Sequence, residues 1–93
     1  MNSDTQLRKN PDVVARNLSE GEGSVLLHLQ TGAYHGMNPV ALLIWDQLDG
    51  ERTVAEIIEA VRERVDDPPQ ELERDVRAFL QGALDRDLIA IVD

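Results

Sequence analysis

Residues Ser24 to Pro39, S-V-L-L-H-L-Q-T-G-A-Y-H-G-M-N-P, change hydrophobic period partway along and so decide the fold. Val25, Leu27 and Leu29 alternate with Leu26, His28 and Gln30, the spacing of a half-buried strand. Thr31-Gly32 is turn chemistry, because Gly accepts the positive φ of a tight hairpin, and Ala33 to Met37 returns as the partner strand. A two-residue loop would set Leu29 opposite Tyr34 and Leu27 opposite Gly36. Tyr34 would then lie on the apolar face, with His28 and His35 as cross-strand neighbours on the other. At Asn38-Pro39 the period becomes helical: Asn can cap, Pro suits the first turn, and Val40, Leu43, Ile44, Trp45 and Leu48 follow at helical spacing.

Upstream, Val13 to Leu18 is short and β-branched at its start, and Ser19-Glu20-Gly21-Glu22-Gly23 is a turn cluster, so a strand and then a loop are expected. Met1 to Lys9 is polar and aperiodic, which predicts a flexible terminus over residues 1–11 ahead of one domain at 12–93. Downstream, Asp49-Gly50 closes the first helix. Thr53-Val54-Ala55-Glu56 is a capping box, and Val54, Ile57, Ile58, Val61 and Val65 form the stripe of a second helix. Asp66-Asp67-Pro68-Pro69 breaks the chain before a long amphipathic helix over Gln70 to Asp87, with Leu72, Val76, Phe79, Leu80 and Leu84 apolar. Leu88 to Val92 is too apolar and β-branched for a solvated tail and predicts a short last strand. Strands and helices are segregated, so the class is α+β: three N-terminal strands, three helices and a short C-terminal strand.

The whole chain has 93 residues, a net charge of −9 and no cysteine. That length fits one thin-cored domain with little room for a water-excluding active site. The charge disfavours nucleic acid and anionic membranes as partners, since affinity for phosphate comes largely from Lys and Arg. Without cysteine there is no disulfide framework, thiolate nucleophile or Cys metal site, and a reducing cytoplasm suits the chain. The longest apolar run, Val40 to Trp45, is far short of the ~20 residues that span a bilayer.

Candidate chemistry is sparse. His28 and His35 could meet as two metal ligands, but zinc sites usually need three or four, and exposed strand histidines are the better reading. The carboxylates Glu59, Glu63, Glu71, Glu73 and Asp75 are spread along helix surfaces, where acids serve solubility. Gly21-Glu22-Gly23 lacks the later Gly of a dinucleotide fingerprint and the Lys of a P-loop, and none of Ser3, Ser19 and Ser24 sits in a nucleophile elbow. The reading is a non-enzyme with no cofactor and no metal. If Ala33 to Met37 lies at a sheet edge, its free N–H and C=O groups could accept a strand from a partner. The alternative is that charge, a bulge or the C-terminal segment covers that edge.

The blocks Leu27 to Asn38, Ile44 to Gly50 and Arg52 to Ile57, followed by Asp75-Val76-Arg77-Ala78-Phe79-Leu80 and Asp87-Leu88-Ile89, together resemble the PqqD family. The resemblance runs from about Asp12 to Val92. Asp87 stands where relatives often have Gly. The resemblance implies a precursor-peptide recognition element of winged helix-turn-helix-like form. The leader of a ribosomally made precursor would add as a strand beside the third strand and lie in a groove with the third helix, for delivery to a separate modifying enzyme. The docking strand would be Ala33, Tyr34, His35, Gly36 and Met37. Val76, Phe79 and Leu80 would form apolar walls, and Arg74, Asp75 and Arg77 a polar rim, although Val76 and Phe79 could equally be core.

Stand-alone members of this kind serve either as the B1-type partner of a leader peptidase in lasso-peptide assembly, favoured here, or as the partner of a radical-SAM enzyme in quinone-cofactor assembly. A winged-helix DNA-binding regulator is the competing class. Against it, Asn38 to Asp93 holds fourteen acidic and six basic residues, a surface that repels phosphate. A purely structural subunit of a larger assembly is a third reading. An unpaired edge strand allows either a monomer or an edge-paired dimer.

Overall fold

The computed structural model describes residues 1–18 and 23–92. Along the chain it has β1 (Leu7–Lys9), β2 (Val13–Asn17), β3 (Ser24–His28), β4 (Tyr34–Met37), α1 (Pro39–Asp46), α2 (Val54–Arg64), α3 (Leu72–Asp85) and β5 (Ile89–Ile91). β2, β3 and β4 form an antiparallel sheet in that order, and β1 pairs antiparallel with β5 in a second sheet. The α+β order of strands, three helices and a short last strand is the one expected. Ser19 to Glu22, expected as a turn, lie outside the described residues.

The hairpin differs from its expected register. Leu27 faces Tyr34, Leu26 faces His35, Val25 faces Gly36 and Ser24 faces Met37. The His28 N–H donates to the Ala33 carbonyl at 3.0 Å and the Gly32 N–H to the His28 carbonyl at 2.8 Å, so the loop is Leu29 to Gly32 and not Thr31-Gly32 alone. Gly32 takes the positive φ, +76°, that closes it. Further bonds hold the longer loop, among them Leu29 N–H to the Asp12 carbonyl at 2.8 Å, Gln30 Nε2 to Asp12 Oδ2 at 2.6 Å and Ala33 N–H to Thr31 Oγ1 at 3.2 Å.

The faces are also reversed. Ser24, Leu26 and His28 point into the core, while Leu29 and Tyr34 are 57% and 71% exposed. Leucine occupies both parities of this strand, so alternation alone did not identify the inner face. The inward polar groups are satisfied: Ser24 Oγ donates to Asn17 Oδ1 at 2.8 Å, and His28 meets Asp87. His28 and His35 share the inner face but are not opposed.

The helices begin where local chemistry places them. Asn38 Oδ1 accepts the Ala41 N–H at 2.8 Å, and Pro39 opens α1. Thr53 and Glu56 make the reciprocal capping box of α2 at 3.2 and 3.0 Å. α3 has no side-chain cap and occupies Leu72–Asp85, shorter at both ends than the expected Gln70 to Asp87. Ile44, Trp45, Ile57, Val61, Val76 and Leu80 form the core between the helices, with Leu26 and Met37 contributed by the sheet.

The aperiodic reading of the first nine residues did not anticipate β1. Leu7 is fully buried, and its carbonyl accepts the Gly50 N–H at 3.0 Å. The Lys9 ammonium lies 5.2 Å from the centre of the Trp45 ring, a cation–π contact that ties β1 to α1. No described helix is long and apolar enough to cross a membrane.

Candidate functional site

β4 is an edge strand: β3 pairs with one side of it, and among the described residues no strand pairs with the other. The C-terminal strand, which could have covered that edge, pairs with β1 instead. The bond from the His28 N–H to the Ala33 carbonyl sets the phase of the ladder. Antiparallel pairs alternate, so His35 and Met37 turn their backbone groups towards β3, and Tyr34 and Gly36 turn theirs to the open edge. Both N–H and C=O of those two residues are therefore available to an added strand. A side chain at Gly36 would meet nothing within 4 Å, so the sheet face beside that edge is uncrowded.

A cavity of about 160 Å³ runs between β4 and α3. His35, Gly36 and Met37 form one wall, Ala78, Phe79, Gly82 and Arg86 the other, and Leu26 the floor. The α3 wall is one face of the helix, since residues 79, 82 and 86 recur at three- and four-residue spacing. Small residues at 78 and 82 let the groove exist, because larger side chains there would fill it.

Phe79 is half-buried, packs on the core and also borders a second cavity of about 320 Å³. Val40, Ala41, Ile44, Val65 and Leu72 give that cavity an apolar lining, with Asn38 and Asp75 as its polar groups. The two cavities share Phe79 as a wall, one lying towards the β4 edge and the other towards the start of α1.

The expected site residues divide three ways. His35, Gly36, Met37 and Phe79 come together at the groove, and Asp75 borders the second cavity. Tyr34 presents its backbone to the edge and its side chain to the outer face, and Ala33 belongs to the loop end of the hairpin. Val76 and Leu80 are fully buried and support the wall from beneath. Arg74 is exposed beside Asp75 at 3.7 Å. Arg77 turns to Glu73 at 3.3 Å and to Ser3 Oγ at 2.7 Å, and neither arginine borders the groove or the second cavity. Ala78, Gly82, Ala83 and Arg86 were not anticipated: small residues leave no trace in hydrophobic periodicity, and a lone Arg near a helix end reads as solvated.

The carboxyl groups with resolved shifts serve the fold. Backbone N–H groups of Arg52 and Glu51 hold the Asp49 carboxyl below the usual carboxylate range, and the Thr53 N–H does the same for Glu56. Neither residue lines the groove. The arrangement is a strand-accepting edge beside an apolar slot, suited to holding an extended peptide.

Comparison with known proteins gives concordant results. The family described as coenzyme PQQ synthesis protein D matches residues 23–89. The solved structure of TbiB1 in complex with the TbiA(beta) leader peptide is 32% identical, with a TM-score of 0.71 over 88% of this chain and 93% of that one. A lasso peptide synthetase B1 complexed with the leader peptide is 21% identical, has a TM-score of 0.73, and shares the fold over 91% of this chain and 98% of that one. No curated protein matched.

Proposed function

The chain belongs to the PqqD family, and from that premise we propose that it is a non-catalytic recognition protein for the leader of a ribosomally made precursor peptide. The leader adds as a strand to the open edge of β4. Alternate leader side chains enter the slot against α3, and the core peptide is left free for a separate modifying enzyme. The observation that carries this reading is the coincidence of the two features: Gly36, whose backbone groups face the open edge, borders the same cavity that Phe79 walls. Main-chain bonds would give affinity and register, and the slot would select side chains.

The modifying enzyme in this proposal is the leader peptidase of a lasso-peptide pathway. Support comes from the 32% identity to TbiB1, whose structure contains a leader peptide. The description of the family as a coenzyme synthesis protein favours a second setting, presentation of the precursor to a radical-SAM enzyme.

Fluorescence anisotropy of labelled leader peptides encoded beside this gene tests the proposal, with a scrambled leader and a DNA duplex as controls. Saturable binding of one leader alone is the expected result, and the identity of that leader's pathway separates the two settings. Folded protein that binds none of them would point to a structural subunit. Salt-sensitive binding of the duplex would restore the regulator.

A further inference from the structure

A buried imidazole ties β3, the strand that pairs with β4, to the turn that ends α3. His28 is 2% exposed at the end of β3, on the face that carries the cavity-floor residue Leu26. Its Nδ1 accepts the Gln30 backbone N–H at 3.3 Å, so in the neutral ring the proton sits on Nε2, 3.4 Å from Asp87 Oδ2. Asp87 follows the end of α3 and lies between Arg86 and Leu88, both of which line the cavity. Its φ of +60° is strained for a residue with a side chain. Asn10 Nδ2 reaches the Asp87 carbonyl at 2.8 Å and Oδ2 at 3.4 Å, which helps to hold that conformation. Among the described residues, the His28 to Asp87 contact is the one hydrogen bond from the three-stranded sheet to α3 and the turn that ends it.

We propose that His28 and Asp87 are positioning residues that fix the separation of β4 from α3, and so hold the groove at the width an added strand requires. The proposal rests on reading that groove as the leader site. The Asp87 side chain is 76% exposed, so the contact closes the imidazole off at the surface; without the carboxylate the Nε2–H loses its protein partner and turns to water, and the end of β3 is no longer tied to the turn after α3. A groove already at its bound width spares the binding peptide the cost of ordering it.

Asp87→Gly isolates the contact, because glycine suits the positive φ while removing the carboxylate. Asp87→Asn restores an acceptor and tolerates the same backbone. Two readouts are needed: leader affinity by anisotropy, and the methyl NMR shifts of Met37 and Ala83, which border the groove, in the free protein. In Asp87→Gly both methyl shifts should move and the leader Kd should rise about tenfold, with Asp87→Asn bringing both back towards wild type. Unmoved methyl signals, or a leader Kd within twofold of wild type in Asp87→Gly, would overturn the proposal. If wild-type protein binds no leader while the methyl signals still move and recover, the leader reading fails and the control of groove width stands.

Discussion

Val25 faces Gly36 across the β3–β4 ladder, and in that register the Gly36 backbone groups point away from β3 towards the open edge. Proline at 36 would remove one outward N–H and put its ring where an added strand must lie, while leaving the bonds to β3 intact. Edge strands tolerate proline in this position. Gly36→Pro should therefore weaken leader binding by about tenfold or more with only a small fall in thermal midpoint. Anisotropy and a melting curve on the same sample check this, and undiminished binding would show that the peptide does not pair with β4.

Phe79 and Leu80 are neighbours in α3 with different burdens: Phe79 walls the groove, whereas Leu80 is fully buried beneath it. Leu80→Ala should cost about 2–5 kcal/mol of stability as a core truncation. Phe79→Ala loses a half-buried ring and should cost less than the ~3–5 kcal/mol of a fully buried one. For leader affinity the order should invert, with Phe79→Ala weakening binding about tenfold or more and folded Leu80→Ala binding close to wild type. A stable Phe79→Ala protein with full affinity would remove Phe79 from the site.

Much of this architecture was legible because it is written in short-range chemistry. Asn38-Pro39 and the Thr53 to Glu56 box act within one helical turn, so the starts of α1 and α2 followed from the sequence. Strand β4 itself followed from period, which left its place at the sheet edge as one of two readings. The inner face of β3 did not, because it is settled at long range: Leu26 on that face packs into the helical core, and His28 finds its partner 59 residues away. The α3 side of the groove was hidden for a different reason, since Ala78 and Gly82 act by leaving space.

Leu7 carries the least expected part of the fold. It is the buried residue of β1, in a stretch that otherwise reads as polar and aperiodic, and its ladder with β5 closes the second sheet. Leu7→Ala should lower stability by about 2–5 kcal/mol, the range of fully buried leucines, which is large for a domain of this size. Urea unfolding would measure it. A loss under about 0.5 kcal/mol, the scale of ordinary surface substitutions, would mean that β1 contributes little to the fold in solution.

Glu56 gives the fold a titratable element. Its carboxyl accepts the Thr53 N–H at 3.0 Å, and this bond, together with the Thr53 hydroxyl, holds its pKa below the ordinary Glu value. A group with a depressed folded pKa contributes fully above its unfolded pKa and loses that contribution as pH falls through the folded one. The capping-box contribution should therefore be present at neutral pH and vanish in acid, below the ordinary Glu range. Glutamine still accepts the Thr53 N–H but does not titrate, so the melting temperature of Glu56→Gln should fall less steeply with acid than that of wild type. The two curves should converge at the acid end. Some acid sensitivity should persist in the variant, because the Asp49 carboxyl is lowered by the N–H groups of Arg52 and Glu51 and acts in the same direction. Curves that stay parallel from neutral pH into acid would show that the Glu56 bond does not contribute to folding.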